Sequence, residues 1–225
     1  MPLFYQQNIN QATQLAIWKI DEAESFFTAK VPLQRSISHP HKRLQHLAGR
    51  YLLQYLFPDF PYEEILIADT RKPYLPYEQY HFSISHCGDY AAAIVSSTKR
   101  VGIDIELPSA KVLKVAHKFL NEEERLMFDL HPLQVNACGT TFNDGRYDLP
   151  TLLWCAKEAM YKWWSWGDID FSEMLRISAF EKNETGSMPA VFLRPGLHVP
   201  LNIEYKLFGG LCLAWVCADF SNHVL

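Results

Sequence analysis

The sequence contains few cysteines, no C-x-x-C pair and no long apolar run. Its five cysteines are an odd number, and Cys155, Cys212 and Cys217 lie in apolar segments. We therefore expect reduced, mostly buried thiols in a cytoplasmic protein, and neither a disulfide framework nor a zinc site. No apolar stretch has the length of a membrane-spanning helix, and the first residues lack the basic and apolar regions of a signal peptide.

An excess of positive charge is also missing. The net charge of -4 excludes a general nucleic-acid-binding protein, although a local basic patch for one phosphorylated ligand is compatible with it. A chain of 225 residues buries enough surface to fold without disulfides or a structural metal. No proline- or serine-rich linker divides it, so we expect one compact unit.

Apolar residues at spacings of three and four predict a helix over 38–57. Its other side carries basic residues, which we interpret as a solvated face: His39, Lys42, Arg43, His46 and Arg50. Strands are predicted at 64–68, 80–85, 90–97 and 100–107, with a turn at Cys87-Gly88-Asp89.

The second half of the chain repeats this order of elements. Helices are predicted at 111–120 and 151–166, the second ending at Gly167, and Asn121 with Glu124 predicts a capping box. The polar segment 131–150 is predicted to be a loop, and strands follow at 174–180, 190–194, 202–208 and 211–218.

We therefore predict an α+β fold built as a pseudo-twofold pair of similar α/β halves, each starting with a helix. The halves are residues 1–108 and 109–225, packed as one unit with a site between them.

The predicted strand "RVGIDIEL" carries two acidic residues close together. Asp104 and Glu106 are two residues apart, so their carboxylates share one face of the strand. One explanation is a hard cation such as Mg²⁺, which takes one or two carboxylates and completes its shell with water and phosphate oxygens. The other is pairing with a nearby lysine or arginine, and the strand alone favours neither.

Three further segments carry candidate site residues. Glu158 and Lys162 lie four residues apart on one face of the second-half helix, the spacing of a helical ion pair or of a site. Ser85 and His86 end a strand. The pair Arg71 and Lys72 precedes Pro73 in a stiff loop.

The segments "RKP", "FSISH", "VGIDIE" and "WCAKEAMYK" together resemble, in order and spacing, the motifs of the 4′-phosphopantetheinyl transferase superfamily, and specifically its surfactin-type monomeric group. The last segment matches the family pattern W-x-x-K-E-x-x-x-K at Trp154, Lys157, Glu158 and Lys162. One departure is Arg71, where the family usually has glycine before the Lys-Pro pair.

The resemblance implies a fold of two related halves and a Mg²⁺-dependent reaction. A serine of an apo acyl or peptidyl carrier protein attacks the β-phosphate of coenzyme A, and adenosine 3′,5′-bisphosphate leaves. Carriers of fatty-acid, polyketide or nonribosomal-peptide synthesis are all possible partners, and neither a nucleic acid nor a membrane is expected as one.

The resemblance also assigns roles to residues. Asp104, Glu106 and Glu158 are implied to hold Mg²⁺, Glu158 to act as the base and Lys162 to stabilise charge on the leaving phosphate. The implied coenzyme A contacts are Lys42, Arg43, Arg71, Lys72, Pro73, Ser85 and His86, with His86 on the 3′-phosphate.

Two other functions stay open at this level. A non-catalytic paralogue would bind coenzyme A or a carrier without transfer. A metal-dependent pyrophosphate hydrolase would use water in place of the carrier serine.

Overall fold

The computed structural model describes residues 2–33, 36–130 and 145–219. Most of the predicted loop at 131–150 lies outside the described residues. Its end is helical, because the helix expected to begin at Thr151 begins at Asp148. In the described part of the chain, no helix is long and apolar enough to cross a membrane.

The described residues form two antiparallel sheets and a short strand pair. With elements numbered in chain order, the first sheet has the spatial order β1 (Leu3–Asn10), β2 (Thr13–Lys19), β6 (Tyr90–Ser96) and β5 (His81–Cys87). The second has the order β7 (Arg100–Glu106), β11 (Cys212–Ala218), β10 (Leu197–Leu207), β9 (Thr185–Arg194) and β8 (Leu175–Ile177). The short pair is β3 (Leu66–Ile67) with β4 (Pro73–Tyr74).

The helices are α1 (Glu24–Thr28), α2 (Pro40–Leu56), α3 (Lys111–Phe119), α4 (Glu122–Met127) and α5 (Asp148–Trp164). The predicted mixture of helices and antiparallel strands is confirmed, as are the β5–β6 and β10–β11 hairpins. The capping box at Asn121 and Glu124 is also present. Helix α5 ends at Trp164, and its C-cap, Ser165, adopts a left-handed conformation with φ 79° two residues before the predicted stop at Gly167.

The prediction that each half starts with a helix is wrong for the first half, which begins with the β1–β2 hairpin. Strand β1 alternates half-buried and exposed residues along its whole length, and its four polar amide side chains make this amphipathic pattern weak in the sequence. The predicted solvated face of α2 is wrong at Arg50, which is 4% exposed, whereas Lys42 is exposed.

Strand β7 belongs by its backbone hydrogen bonds to the second sheet, where it pairs with β11 from Arg100 to Glu106. The predicted division of the chain at residue 108 placed this strand in the first half. That division stays a prediction, but the change from one sheet to the other falls between Ser96 and Arg100.

Two glycines allow a long helix to lie close to each sheet. A Cβ atom on Gly49 of α2 would lie 2.6 Å from the Cγ2 atom of Ile84 on β5. A Cβ atom on Gly102 of β7 would lie 1.9 Å from the carbonyl oxygen of Ala159 and 2.7 Å from the amide nitrogen of Trp163. Helix α5 therefore touches β7 backbone to backbone.

We expect Gly102→Ala to lower the free energy of unfolding by more than about 3 kcal/mol, at the upper end of overpacking costs. The added methyl group meets backbone atoms, which cannot move aside as a side chain does. Urea denaturation measures the loss. Gly49→Ala is the matched control, because its new methyl meets only a side-chain methyl, and a loss of about 1–2 kcal/mol is expected. Equal losses in the two variants would contradict the backbone contact.

Candidate functional site

The contact between α5 and β7 brings Lys162 onto Asp104. The Lys162 ammonium donates to Asp104 Oδ1 at 2.7 Å and to the Ile103 carbonyl oxygen at 3.1 Å. The Ser85 hydroxyl donates to the same Oδ1 atom at 2.6 Å. Asp104 is 4% exposed, and its second oxygen, Oδ2, is buried with no hydrogen-bond partner. One carboxylate oxygen thus accepts two hydrogen bonds, and the other is buried without one.

Glu106 and Glu158 complete a group of three acids. Burial is the main cause that raises the pKa of Glu158, to about 7, and the charges of Asp104 and Glu106 add to the shift against the opposing effect of Lys162. Burial also raises the pKa of Glu106, and Asp104 contributes in the same direction. The three carboxylates are therefore close enough to repel one another in a poorly solvated place.

The chemistry of these donors fits a hard divalent cation. They are carboxylate oxygens, one of them is an unpartnered buried atom, and their mutual repulsion would be relieved by positive charge. Within the described residues, no three His, Cys, Asp or Glu side chains are already arranged as a metal cage. The ammonium of Lys162 is the positive group that stands against Asp104 in this structure. The two explanations left open for Asp104 and Glu106 are thus compatible.

Lys72 is placed at the end of α5. Its ammonium donates to the carbonyl oxygen of Lys162 and to the hydroxyl oxygen of Ser165, and Thr70 donates from its hydroxyl to the Ser165 carbonyl oxygen at 3.3 Å. Burial lowers the pKa of Lys72 to about 7, and the charges of Arg100 and Lys162 add to the effect. The predicted phosphate contact of Lys72 stays a prediction, and in this structure the side chain ties the β3–β4 loop to the helix end.

Arg71 occupies the turn between β3 and β4 with φ 65°. The turn is closed by hydrogen bonds from the Arg71 amide to the Ala68 carbonyl at 2.8 Å and from the Ala68 amide to the Lys72 carbonyl at 2.9 Å. A left-handed backbone favours glycine, which explains the glycine usual at this position in the family that the sequence resembles. The arginine keeps the turn, and its exposed side chain lines a cavity.

The other predicted coenzyme A contacts are divided between two places. Ser85 is buried and faces Asp104, whereas His86, the next residue of β5, is exposed and lies on the strand face of Ile84, towards α2. On α2, Lys42 is exposed. The guanidinium of Arg43 donates to Glu24 at 2.7 Å and to the Ile37 carbonyl oxygen at 2.8 Å.

Two cavities lie on the two sides of the Lys72-Pro73 segment. The one that Lys162 borders has a volume of about 220 Å³ and also includes Arg71, Lys72 and Pro73 in its lining. The other, of about 270 Å³, shares Lys72 and Pro73 and is lined further by Arg100, Trp163 and Trp166. Four of the residues predicted from the sequence therefore border one cavity.

Sequence reasoning gave no role to Lys157, although it is part of the helix motif. This side chain is 0% exposed, and its ammonium donates to Glu124 at 2.6 Å and to the carbonyl oxygens of Phe119 and Phe171 at 2.6 and 3.0 Å. Glu124 also accepts from the backbone amides of Asn121 and Ile177. This buried ion pair could have been found from two features of the sequence. Lys157 lies among apolar residues of α5, and Glu124 belongs to the capping box of α4.

Comparison with known proteins identifies the family to which this chain belongs. A sequence model of the 4′-phosphopantetheinyl transferase superfamily matches residues 100–216, which include the three acids and Lys162. The chain belongs to this superfamily. The 4′-phosphopantetheinyl transferase gsp of Aneurinibacillus migulanus is 36% identical over 181 residues, covering 78% of this chain and 67% of the relative.

A second relative is enterobactin synthase component D of Escherichia coli K12, which is 34% identical over 126 residues. That match covers 54% of this chain and 54% of the relative, so the chain spans about half the length of this relative. An L-aminoadipate-semialdehyde dehydrogenase-phosphopantetheinyl transferase of Xenopus laevis is 28% identical over 131 residues, covering 52% of this chain and 41% of the relative.

The raised pKa of Glu158 predicts a pH-dependent stability in metal-free buffer. Between the ordinary carboxyl pKa of 4.5 and about 7, the folded protein binds more protons at Glu158 than the unfolded chain does. Its contribution to stability therefore falls as pH rises through this window. We expect Glu158→Gln to lose less stability than the wild type between about pH 5 and about pH 8, measured by urea unfolding in EDTA. Parallel pH profiles for the two proteins would contradict the assignment.

Proposed function

We propose that this protein transfers the 4′-phosphopantetheine group from coenzyme A to a serine hydroxyl of an apo acyl or peptidyl carrier protein and releases adenosine 3′,5′-bisphosphate. The observation that carries the proposal is the meeting of Asp104, Glu106, Glu158 and Lys162 at the α5–β7 contact. Superfamily membership and the names of the relatives support the same reaction.

The proposed coenzyme A site extends along the Lys72-Pro73 segment. The cavity of about 220 Å³ combines apolar walls with the cationic side chains of Arg71 and Lys162, a composition suited to a nucleotide with phosphates. His86 and Lys42, both exposed near the start of α2, are proposed to contact the more distant phosphate groups. Arg43 is proposed to join them only if its bond to Glu24 opens.

The proposed roles at the reacting atoms follow from the environments of the side chains. Glu158, whose pKa is raised to about 7 in the metal-free protein, is the proposed base that accepts the proton of the carrier serine. Lys162 places a positive charge where negative charge grows on the leaving phosphate. Asp104, Glu106 and Glu158 would hold Mg²⁺, which when bound supplies charge neutralisation to the diphosphate.

We also propose that the two halves are related by a pseudo-twofold arrangement and that the protein is a monomer. Each sheet carries one helix of 17 residues, α2 on the first and α5 on the second, which supports a pseudo-twofold relation between the halves. The site residues on β5, β7 and α5 all come from one chain, which supports a monomer of the surfactin-type group. The cytoplasmic location and the identity of the carrier stay predictions.

Mass spectrometry of apo carrier proteins incubated with the protein, coenzyme A and Mg²⁺ tests the reaction. We expect a carrier mass increase of one phosphopantetheine group, and at least about a hundredfold lower rate in Asp104→Ala, Glu106→Ala and Glu158→Ala because each removes a proposed metal ligand. Asp21→Ala, which removes an exposed acid paired with Lys19 at 3.2 Å, is the matched control and should keep the full rate.

The same assay separates the alternatives. Release of free phosphopantetheine without carrier modification would identify a pyrophosphate hydrolase. Binding of coenzyme A with no product across fatty-acid, polyketide and peptide carriers would identify a non-catalytic paralogue. A normal rate in Glu158→Ala would remove that residue from the mechanism.

His86→Ala should weaken binding of coenzyme A by roughly 10- to 100-fold and binding of dephospho-coenzyme A by much less. The reason is that only coenzyme A has the 3′-phosphate, and a charge-assisted hydrogen bond contributes roughly 1.5–3 kcal/mol. Calorimetry with both ligands measures the difference. His198→Ala, which changes an exposed histidine on β10 of the second sheet, serves as the control. Equal losses for the two ligands would exclude the 3′-phosphate contact.

A further inference from the structure

The two sheets are joined between β5 and β7 by side chains. Ser83, Ser85 and Cys87 lie at alternate positions of β5 and therefore point to one face. Each accepts a hydrogen bond from a backbone amide of β7 or of the residue after it. The pairs are Ile103 to Ser83 Oγ at 3.2 Å, Ile105 to Ser85 Oγ at 3.3 Å and Leu107 to Cys87 Sγ at 3.2 Å.

Two of these side chains make a second bond, in each case to an acid. Ser85 donates to Asp104 Oδ1 at 2.6 Å, and Cys87 donates to Glu106 Oε2 at 3.1 Å. Each acid comes directly before the residue whose backbone amide donates to the same side chain. Asp104 precedes Ile105, and Glu106 precedes Leu107. At the third position, next to Ser83, the corresponding residue is Gly102, which has no side chain. A β5 side chain therefore makes both bonds, to the amide and to the preceding side chain, only where β7 has an acid.

The chemistry of the two groups fixes the direction of these bonds. A hydroxyl or thiol has one hydrogen to donate, and an ionised carboxylate only accepts. The amide of Leu107 can only donate, so it uses the lone pairs of the Cys87 sulfur. The hydrogen of Cys87 is left for Glu106. One thiol thus ties the Glu106 side chain to the backbone of its own strand.

We propose that Cys87 is a positioning residue, which orients the Glu106 carboxylate for a divalent cation as Ser85 orients that of Asp104. The inference rests on the proposed function, because it assumes that these acids hold the cation. A partner that orients a metal-ligating carboxylate typically changes metal affinity by 10- to 100-fold when it is removed. At the neighbouring acid, Asp104, Ser85 bonds the Oδ1 atom, and the buried Oδ2 atom has no hydrogen bond.

The test measures metal binding directly and separately from activity. Mn²⁺ binding to the purified protein without coenzyme A is followed by electron paramagnetic resonance of the free ion. We expect Cys87→Ala to weaken Mn²⁺ binding by roughly tenfold, within the range for outer-shell partners. Cys87→Ser keeps both the donor and the acceptor and should stay within about threefold of the wild type.

Two further variants control for packing. Cys87→Val fills the space of the thiol but has no hydrogen-bond donor. It should therefore bind Mn²⁺ as weakly as Cys87→Ala, which shows that the loss in the alanine variant does not come from its smaller volume. Cys217→Ala removes another half-buried thiol, whose sulfur lies 3.8 Å from Thr13 Oγ1, and should leave Mn²⁺ binding unchanged. Unfolding in urea confirms that the compared variants are folded.

The transfer assay adds a second readout. If Cys87 acts through the metal, Cys87→Ala should raise the Mg²⁺ concentration for half-maximal rate by roughly tenfold and leave the rate at saturating Mg²⁺ within about threefold. Wild-type Mn²⁺ affinity in Cys87→Ala, or equally weak binding in Cys87→Ser, would overturn the inference. A wild-type protein that binds Mn²⁺ but modifies no carrier would instead overturn the proposed function, and the Mn²⁺ comparison would still decide the role of Cys87.

Discussion

The backbone contact of α5 with β7 at Gly102 is the constraint on which the site depends. Any side chain larger than hydrogen at this position would overlap the Ala159 carbonyl oxygen, so the glycine sets how deep the helix lies on the strand. The depth matters because Lys162 must reach Asp104 and Ile103, which it does at 2.7 and 3.1 Å. Raising the helix by the diameter of a methyl group would break both bonds and separate Glu158 from the acids of β7.

The charges in this site come close to balance only with a further positive group. Asp104, Glu106 and Glu158 face the ammonium of Lys162, and the charges of Asp104 and Glu106 add to the burial that raises the pKa of Glu158. Like charges about 5 Å apart repel by roughly 3 kcal/mol at an effective dielectric constant of about 20. Protonation relieves the repulsion in the metal-free protein, and a bound cation would relieve it in the enzyme. The same mutual repulsion of the three carboxylates therefore favours the binding of a cation.

The sequence predicted those elements that depend on local periodicity or on the spacing of motifs. Helix α2, the β5–β6 hairpin and the capping box at Asn121 follow from local patterns, and the four motifs located Asp104, Glu158 and Lys162 correctly on a strand and a helix that meet. Strand β1 was missed because an edge strand with exposed alternate residues resembles a polar loop. The pairing of β7 with β11 was missed because it joins residues more than a hundred positions apart, for which no local pattern exists.

The contacts of Ser85 and Lys72 could not be predicted for a related reason. Both residues were predicted to contact coenzyme A from the family resemblance alone. A resemblance of this kind does not show which protein groups a side chain also hydrogen-bonds. In the structure Ser85 holds Asp104, and Lys72 holds the carbonyl end of α5. A cation at a helix C-terminus is favoured by the unpaired carbonyl oxygens there, so Lys72 has a structural reason for its place without any ligand.

Helix α5 is consequently fixed at three levels along its length. Lys157 bonds to Glu124 and two carbonyl oxygens on one side, Gly102 admits the backbone contact in the middle, and Lys72 with Ser165 closes the end. Lys157 and Glu158 are adjacent, and successive helical residues point about 100° apart. One therefore enters the core while the other faces β7. A buried ion pair broken on one side typically costs 3–5 kcal/mol, so the Lys157 anchor resists rotation of the helix about its axis. Rotation is the motion that would carry Glu158 away from Asp104, and the buried lysine thereby positions the acid beside it.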